Sequence, residues 1–350
     1  MNLENLLEEN PYLKVSEQVK AQLEGAIVLI TGAAGSIGSE ISKILNQQCN
    51  CKLILLDQAE SALFDLQQEL LLENRNNHKI IVGDICDKDR MEHLFKKYIP
   101  TIVYHAAAYK HVPLMEAHPY EAVKVNVVGT KIITDLSEKY KVSNFVLVST
   151  DKAVKPASIM GVSKRIAELY VSSKNKNSTK KFKIVRFGNV PYSSGSVIPL
   201  FKKQMKRVGA LTITDKKVSR YFIKMSSACQ LLLEAILFVD CDLLVGNMGK
   251  AINVQELAVK LISDAGLKYP EDIEIKYIGL RPGEKLHEEL IYENEILIVE
   301  NNSKIKKYNS TVNTMKIALI EALCCLKSET QDAEIILKLK EIVPEYISNN

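Results

Sequence analysis

Short apolar runs alternate with longer stretches of helical spacing along the first half of the chain. Runs rich in Val, Ile and Leu occupy residues 26–31, 52–56, 79–82, 101–104 and 145–149. Helical spacing of apolar residues marks residues 36–47, 60–73 and 119–140. This alternation predicts a parallel sheet whose strands are joined by crossover helices. Strands that are apolar at every position predict a sheet covered on both faces.

The pattern becomes less regular after Arg186, where glycines and prolines divide the chain into short segments. We therefore assign residues 25–185 to a sheet domain and expect the chain to return to it around residues 226–247. Residues 186–225 and 248–300 are assigned to a smaller lobe. The flanking parts are an N-terminal arm, residues 1–24, and a C-terminal helical tail, residues 301–350.

Composition and charge exclude several classes of protein. The 46 Lys and Arg residues against 42 Asp and Glu residues give a net charge of +4, too small an excess to indicate a nucleic-acid partner. The N-terminus lacks the pattern of a signal peptide. Acidic residues interrupt the most apolar stretch, Leu231 to Val245, so no membrane span is predicted. Seven cysteines without paired spacing predict free thiols in a reducing cytoplasm.

A glycine cluster follows the first apolar run and opens the first helical stretch. Gly32, Gly35 and Gly38 belong to the segment TGAAGSIG, residues 31–38. Such glycines permit a tight turn and let the backbone approach a pyrophosphate, which then faces the N–H groups of the helix N-terminus. Glycines also mark plain turns, but here the strand and the helix are both predicted. The fold class predicted is α/β, a Rossmann-type doubly wound parallel sheet with a smaller C-terminal substrate-binding lobe.

Two carboxylates follow the second and third apolar runs. Asp57 ends the second run, and Asp84 follows Gly83 after the third. A carboxylate at the position of Asp57 accepts hydrogen bonds from ribose hydroxyls and repels a 2′-phosphate, so NAD is favoured over NADP. The alternative for Asp57 is helix capping, because helical spacing follows it. Asp84 is predicted to meet the adenine amine, with a simple turn as its alternative.

Side chains suited to acid–base chemistry follow the fifth apolar run. Thr150, Asp151 and Lys152 stand at its end. Ligands gather at the carboxyl ends of strands in open α/β sheets, so Asp151 and Lys152 are a candidate acid and base. A solvated turn carrying an ion pair is the alternative. Met160 and Lys164 follow at i and i+4 spacing, which places both on one face of a helix.

These features resemble the extended short-chain dehydrogenases/reductases, which usually carry Tyr-x-x-x-Lys where this chain has Met160 and Lys164. Several further motifs resemble the UDP-N-acetylglucosamine 4,6-dehydratases of polysaccharide and protein-glycan biosynthesis. They are AAAYKHVPLME at 106–116, STDKA at 149–153, RFGNV at 186–190, SGSVIP at 194–199, RYF at 220–222, GLRPGEK at 279–285 and VPEY at 343–346. Met at the Tyr position resembles the branch whose product retains its configuration at C5.

The resemblance implies NAD as cofactor and further residues that bind it. Beside the glycines and the two carboxylates, the implied cofactor contacts are Ser36, Ile37, Ile85, Ala106, Ala107, Asn126 and Lys164. Lys164 is expected to bind the nicotinamide ribose and to keep the local field positive.

The reaction implied by the resemblance oxidises C4 of the sugar, eliminates water across C5 and C6, and returns the hydride to C6. Asp151 is then the acid at C6 and Lys152 the base at C5. A lysine base requires a lowered pKa, which burial or the neighbouring Lys164 would provide. Because Met160 replaces Tyr, the C4 proton passes either through Thr150 or to Asp151, which hands it on to the C6 oxygen.

The UDP group of such a substrate requires cations and amide donors. Arg281 is predicted to grip phosphate, and Arg220 is a second candidate, with a surface ion pair as the alternative for each. Asn189 is expected to reach the sugar or the diphosphate, and Glu284 the uridine ribose. The remaining predicted substrate contacts are Lys110, His111 and Val197. For His111, a position at the start of a helix without a ligand is the alternative.

The other histidines give no sign of a metal site. His105 lies within an apolar run and is expected to be a core histidine with satisfied hydrogen bonds, and the remaining histidines have no partners at metal spacing. We therefore predict no metal. The predicted partners are a UDP-sugar substrate and further copies of the chain in a homo-oligomer.

Two alternatives stay open at this point. One is another nucleotide-sugar reaction on the same scaffold, either a C5-inverting dehydratase or an epimerase that returns the hydride to C4. The Asp151–Lys152 pair argues against a simple epimerase, which needs no acid at C6. The other is a non-catalytic NAD-dependent sensor or scaffold, which the intact candidates for acid, base and cofactor binding argue against.

Overall fold

The computed structural model describes residues 13–73, 77–175, 180–298, 305–309 and 314–347. The strands are β1 (Ile27–Thr31), β2 (Lys52–Asp57), β3 (His78–Val82), β4 (Ile102–His105), β5 (Asn144–Thr150), β6 (Phe182–Phe187), β7 (Ala210–Ile213), β8 (Ser219–Arg220), β9 (Leu243–Gly246), β10 (Ile252–Asn253), β11 (Glu274–Tyr277), β12 (Ile296–Ile298) and β13 (Ile305–Asn309). The helices are α1 (Glu17–Leu23), α2 (Ser36–Gln48), α3 (Glu60–Leu71), α4 (Lys88–Tyr98), α5 (Val112–Ala117), α6 (Pro119–Ala122), α7 (Thr130–Lys139), α8 (Ile159–Ser173), α9 (Val197–Val208), α10 (Met225–Glu234), α11 (Val254–Asp264), α12 (Thr314–Leu323) and α13 (Asp332–Ile342).

Parts of the predicted flanking segments lie outside the described residues. These are residues 1–12 of the N-terminal arm, residues 299–300 at the end of the lobe, and residues 301–304, 310–313 and 348–350 of the tail. No helix in the described ranges is both long enough and apolar enough to cross a membrane.

The main sheet contains nine of the described strands, in the order β12-β13-β9-β6-β5-β4-β1-β2-β3. Pairing is parallel from β9 to β3 and antiparallel for β13 and β12, so the predicted α/β fold with a mostly parallel sheet is confirmed. The five predicted strands agree with β1 to β5 within about one residue at each end. The strand order reverses between β1 and β4, and the crevice beside such a switch point is where ligands bind in open α/β sheets.

Alternate side chains of the central strands enter two different apolar layers. In β1, Val28 and Ile30 pack in the layer that contains α1, α2, α3 and α10, whereas Leu29 packs with α4, α7 and α8. In β2, Leu55 packs in the first of these layers and Ile54 in the second. Because successive side chains of a strand point to opposite faces, a continuously apolar strand requires helices on both sides, as the sequence pattern predicts.

A separate apolar cluster forms the lobe that follows β6. Helices α9 and α11 pack on β7 and β11 through Phe201, Leu211, Leu257 and Ile275. The division into a sheet domain and a lobe stays a prediction. Helix α10 packs on the main sheet, and β9 pairs with β6 in it. Beyond these, β12 and β13 extend the sheet with two antiparallel strands that the pattern did not predict. Helices α12 and α13 account for the helical spacing of the tail and pack on α8.

Candidate active site

A cleft of about 250 Å³ opens at the carboxyl edge of the sheet, beside β1, β2, β3 and β4. Seven of the predicted cofactor-binding residues line it: Gly32, Gly35, Asp57, Asp84, Ile85, Ala106 and Ala107. Three more, Ser36, Ile37 and Gly38, form the first turn of α2, which begins directly after the glycine turn. Segments distant in sequence therefore meet at the switch point, where the parallel sheet brings its strand ends together.

Two of the three glycines are required by the close packing of the turn itself. Gly32 has a φ of +66°, and a Cβ there would lie 2.5 Å from the backbone nitrogen of Ala107. A Cβ on Gly38 would lie 2.1 Å from the carbonyl oxygen of Gly32. The constraint on Gly35 is weaker, since its Cβ would approach the same oxygen only to 3.2 Å. The turn thus holds its shape through backbone contacts before any ligand binds.

Asp57 connects the glycine turn to the next helix. Its Oδ2 accepts a hydrogen bond from the backbone N–H of Ala34 at 3.0 Å, and its Oδ1 accepts one from Ala59 at 3.0 Å. The carboxylate therefore fixes the turn before α3 and also faces the cleft, but the N-cap of α3 is Ala59 without a side-chain cap, so the helix-capping alternative for Asp57 is wrong. Asp84 has a comparable local role, because its Oδ1 accepts from the N–H of Cys86 at 2.8 Å.

Two other predicted cofactor residues lie deeper in the fold. Asn126, in the π-helical turn Val123–Gly129 between α6 and α7, is fully buried and exchanges two hydrogen bonds with the backbone of Tyr109, at 2.8 and 3.0 Å. It thereby fixes Tyr109, which lines the cleft. Lys164 is 5% exposed on α8, and burial lowers its pKa to about 8 against the opposing charge of Glu168. Cofactor contact by Asn126 and Lys164 stays a prediction.

His105 is the satisfied core histidine that the sequence predicts. It is fully buried at the end of β4, with Nδ1 2.7 Å from Oγ1 of Thr31 and Nε2 3.0 Å from Oγ1 of Thr130. Burial, reinforced by the positive charge of Lys164, lowers its pKa to about 3, so it is neutral.

The candidate acid and base occupy a single 3₁₀ turn, Asp151–Ala153, at the end of β5. Oδ1 of Asp151 accepts hydrogen bonds from Oγ1 of Thr150 and from Nζ of Lys152, both at 2.9 Å. Nζ of Lys152 also donates to Oδ1 of Asn189 at 3.1 Å. Asp151 is fully buried, and its Oδ2 has no hydrogen-bond partner among the described residues. One carboxylate oxygen is therefore available to a ligand.

The electrostatics of Lys152 differ from those that a lysine base requires. Burial favours the neutral amine, but the negative charges of Asp151 and Glu288 outweigh it and raise the pKa of Lys152 above its ordinary value. Oε1 of Glu288 lies 3.8 Å from Nζ of Lys152. The predicted lowering of the Lys152 pKa is therefore wrong for this state of the protein, because two carboxylates flank its ammonium group. Of Lys152 and Lys164, it is Lys164 whose pKa is lowered.

Helix α8 begins at Ile159, after the turn Asp151–Ala153, and places Met160 in an apolar cluster. Ser158 accepts from the N–H of Gly161, and Oε1 of Glu116 accepts from the N–H of Ile159 at 2.6 Å, so two side chains satisfy the helix N-terminus. Met160 is 3% exposed and packs in the cluster formed by α5, α6, α8, α12 and α13. In this position it supplies shape and no titratable group.

The residues predicted to bind UDP form one internal ion pair and one exposed cation. Arg220 is 7% exposed and donates to Oε1 of Glu284 at 2.9 Å; Thr214 donates to the same oxygen. This is the ion-pair alternative for Arg220, although the pair is partly buried rather than on the surface. The side chain of Arg281 is exposed, and its contacts with Glu284 are made by its backbone N–H and carbonyl groups.

The predicted sugar contacts lie near the junction of the sheet and the lobe. His111 directly precedes α5, and its ring packs so closely on Gly195 that a Cβ there would lie 2.5 Å from Cε1. Lys110 is exposed beside it, and Val197 begins α9. The N–H of Ser194 donates to Oγ of Ser36 at 3.0 Å, which joins this loop to the first turn of α2.

A buried ionic cluster behind the catalytic turn was not predicted. Arg186, fully buried at the end of β6, donates to both oxygens of Glu168 and of Glu295 at 2.7–2.9 Å. Glu295 also accepts from the N–H of Tyr292, whose hydroxyl accepts from the N–H of Lys155 and donates to the carbonyl of Ala153. The cluster thus holds the turn that contains Asp151 and Lys152. Residues 284–295 form neither helix nor strand, so no periodicity marks them.

Among the described residues, no group of three or more His, Cys, Asp and Glu side chains is arranged to hold a metal ion.

Comparison with known proteins identifies the family. A family model described as "Polysaccharide biosynthesis protein" matches residues 28–310. The capsular polysaccharide biosynthesis protein CapD of Staphylococcus aureus is 42% identical over 300 residues, covering 85% of this chain and 50% of that protein. The probable polysaccharide biosynthesis protein EpsC of Bacillus subtilis is 41% identical over 298 residues, covering 84% and 49%. The chain spans about half the length of these two relatives.

A more distant relative and a solved structure extend the comparison. A UDP-N-acetylglucosamine 4,6-dehydratase (inverting) of Campylobacter jejuni is 31% identical over 277 residues, covering 77% of this chain and 79% of that protein. The crystal structure of Pen from Bacillus thuringiensis superimposes with a TM-score of 0.74 at 30% identity, covering 83% and 89% of the two chains. The fold, the site at the switch point and the span of the matched family model agree, and this chain belongs to the polysaccharide biosynthesis protein family.

Proposed function

We propose that the chain binds NAD and dehydrates UDP-N-acetylglucosamine to a UDP-4-keto-6-deoxy-N-acetylhexosamine, with retention at C5, in the biosynthesis of bacterial glycans. The observation that carries the proposal is the ion pair of buried Asp151 with partly buried Lys152, which stands at the carboxyl edge of β5. Strand β5 pairs with β4, whose end leads into the cleft. The relative from Campylobacter jejuni, named for this class of reaction, supports the substrate class.

The cleft fits the adenosine end of NAD. The glycine turn admits no Cβ at Gly32 or Gly38. Helix α2 starts after Gly35 without a side-chain cap, and the N–H groups of such a helix start suit a pyrophosphate. The carboxylate of Asp57 faces the cleft, where it accepts from ribose hydroxyls and disfavours a 2′-phosphate. When bound, NAD supplies hydride acceptance at C4 of the sugar and hydride donation at C6.

The chain's own residues account for the proton transfers. Asp151 takes the C4 hydroxyl proton, directly or through Oγ1 of Thr150, which lies 2.9 Å from its Oδ1. Asp151 then gives this proton to the C6 hydroxyl, which leaves as water, so Asp151 ends as the carboxylate that it was at the start. Lys152 removes the C5 proton, which the 4-ketone has acidified, and later delivers a solvent-exchangeable proton to the same face of C5. No tyrosine is needed, and Met160 shapes the wall of the site.

The decisive experiment incubates the purified protein and NAD with UDP-N-acetylglucosamine in deuterated water. A product lighter by one water, with deuterium at C5 and retained C5 configuration, is expected from mass spectrometry and NMR. Total NAD should not change. An inverted C5 would place the chain in the sister reaction, and a product of unchanged mass would indicate an epimerase.

A second measurement separates the two routes for the C4 proton. Asp151→Asn removes a proton carrier with little change of shape and is expected to lower turnover by about 10²–10⁴-fold, the usual contribution of general acid–base catalysis. If Asp151 acts only at C6, NADH absorbance should still build up in a single turnover. If Asp151 also accepts the C4 proton, no NADH should appear.

A further inference from the structure

Lys152 lies between two buried carboxylates, and only one of them belongs to its own turn. Asp151 contacts Nζ at 2.9 Å, and Glu288, from the irregular segment 284–295, lies on another side with its Oε1 at 3.8 Å. The side chain of Glu288 is 4% exposed and that of Asp151 is 0% exposed. Burial of this kind is expensive for a carboxylate unless the charge is compensated, which makes an unexplained buried Glu informative.

Glu288 keeps unused hydrogen-bonding capacity. Its Oε2 is buried without a hydrogen-bond partner among the described residues, and Nζ of Lys285 lies 4.0 Å from it. That Nζ donates its hydrogen bond elsewhere, to the carbonyl oxygen of Val154 at 2.9 Å. The carboxyl group of Glu288 therefore retains one buried oxygen that can hold a proton without breaking an existing hydrogen bond.

The proposed dehydration requires two opposite protonation states beside each other. Asp151 must carry a proton to the C6 hydroxyl, and Lys152 must be a neutral amine before it can take the C5 proton. In the structure the lysine is an ammonium group held by two carboxylates. Once Asp151 has accepted the C4 proton, it cannot also accept the ammonium proton of Lys152. Glu288 is then the remaining buried carboxylate near Lys152.

We propose that Glu288 accepts the ammonium proton of Lys152 and so generates the neutral amine that acts at C5, an inference that rests on the proposed function. Nζ and Oε1, 3.8 Å apart, first approach to hydrogen-bond distance. The N–H bond of the ammonium group then breaks, an O–H bond forms on Glu288, and an ion pair becomes two neutral groups. The amine then takes the C5 proton and later delivers a solvent-exchangeable proton to C5. The original proton moves back from Glu288 to Lys152, so no proton is gained or lost over the cycle.

Three other charged groups act on this pair, and one titratable group lies elsewhere in the segment 284–295. Asp151 and Arg220 act on Lys152, with opposite effects on its pKa. Lys285 faces Glu288, and burial lowers the pKa of Lys285, although nearby carboxylates oppose this. Tyr292 belongs to the same segment, and burial raises its pKa, so it stays neutral in the working range. Of the two carboxylates that act on Lys152, Asp151 already has a role in the proposed reaction and Glu288 has none.

The test compares deuterium uptake at C5 with C4 oxidation, at pH 7 and at pH 9. At pH 7, Glu288→Gln is expected to slow C5 exchange about a hundredfold, the scale of one lost proton acceptor. NADH formation in a single turnover should stay within about threefold of wild type, because it does not use the lysine. At pH 9 hydroxide replaces Glu288 as the acceptor, so most of the C5 rate should return.

Glu289→Gln is the matched control. Glu289 is the next residue, is exposed, and contacts Lys155 rather than Lys152, so this variant should keep wild-type rates at both pH values. Glu288→Asp retains an acceptor one methylene farther away and should restore the wild-type pH profile at a lower rate. If Glu288→Gln fails to fold, a Glu288→Asp rate equal to that of Glu289→Gln would overturn the proposal.

A readout without substrate completes the test. Titration of the Lys152 amine by ¹⁵N NMR should show a lower pKa in Glu288→Gln than in Glu289→Gln, because one flanking carboxylate has been removed. An unchanged Lys152 titration, a C5 deficit that is equal at pH 7 and pH 9, or no C5 deficit would each overturn the role of Glu288. Wild-type protein that leaves UDP-N-acetylglucosamine unchanged would instead overturn the proposed function, and the proton route with it.

Discussion

The cofactor cleft and the predicted UDP region differ in whether backbone or side-chain atoms form them. The cleft is shaped by backbone: the turn at Gly32 and Gly38 packs on itself and on the end of β4, where no side chain has to move. The UDP region is shaped by side chains, in which Arg220 is already paired with Glu284 while Arg281 stands exposed. A backbone site is ready before its ligand arrives, whereas a side-chain site must exchange partners on binding.

This difference predicts how each region responds to substitution. At the glycine turn of the cleft, an added Cβ on Gly32 or Gly38 would clash with backbone atoms, so even a small substitution should abolish NAD binding. In the UDP region, a lost cation removes one interaction and leaves the others, so the damage should be partial and confined to substrate affinity. The four variants below test that contrast, from the largest expected effect to the smallest.

Gly38→Ala is expected to abolish dinucleotide binding. Its Cβ would lie 2.1 Å from the carbonyl oxygen of Gly32, and neither the helix start nor the turn has space to yield. Gly25→Ala is the control, since no atom lies within 4 Å of its Cβ and its φ of +67° adds only a local strain of about 1–2 kcal/mol. Calorimetric titration with NAD should detect binding in Gly25→Ala and none in Gly38→Ala. Equal affinities would show that the cleft is more adaptable than its packing indicates.

The sequence predicts the cleft well because parallel sheets make local motifs meet. Each apolar run ends at the same edge, so Gly32, Asp57 and Thr150 are brought together by strand order alone. Strand β13 shows the limit: Lys306 and Lys307 stand inside it, and no continuous apolar run marks it. Pairing with β9 makes it a strand, and such tertiary pairing is invisible to local periodicity.

The candidate site is predicted less completely than the fold. Thr150, Asp151 and Lys152 lie in one strand end and are found by position, but Glu288 and Tyr292 lie far along the chain in a segment without regular structure. Their contacts depend on how the segment after the lobe returns to the sheet. The same dependence explains the Arg220–Glu284 pair, since either residue alone resembles a free ligand contact in the sequence.

Arg281→Ala tests the side-chain region. We expect the Michaelis constant for the UDP-sugar to rise about tenfold to a hundredfold, as for a lost charge-assisted hydrogen bond of roughly 1.5–3 kcal/mol, with little change in turnover. Steady-state kinetics measure both constants. Arg207→Ala, which removes another exposed arginine near the end of α9, should change neither. A loss confined to turnover would move Arg281 out of the binding role.

Asp57→Ala returns to the cleft but removes a side chain rather than adding one. We expect the preference for NAD over NADP to fall by about tenfold, because the charge that repels a 2′-phosphate is gone. The N–H groups of Ala34 and Ala59 also lose their acceptor, so NAD affinity should fall as well. Measuring the dissociation constants of NAD and NADP for wild type and Asp57→Ala tests this prediction. Asp84→Ala, in the same cleft, should leave the ratio unchanged, and an equal shift in both variants would exclude a specific role for Asp57.

Met160→Leu should have the smallest effect, and it tests whether the position of the missing tyrosine belongs to the chemistry or to the core. Met160 is 3% exposed in an apolar cluster and contributes no titratable group. A swap between Met and Leu conserves volume and usually costs less than roughly 1.5 kcal/mol, so turnover should stay within about tenfold of wild type. Met91→Leu makes the same change in a different apolar cluster, the one that contains α4 and α7, and calibrates the cost of repacking alone. If the two variants lose the same stability while only Met160→Leu loses turnover by more than tenfold, the thioether has a catalytic role, and the assignment of the C4 proton to Thr150 and Asp151 is wrong.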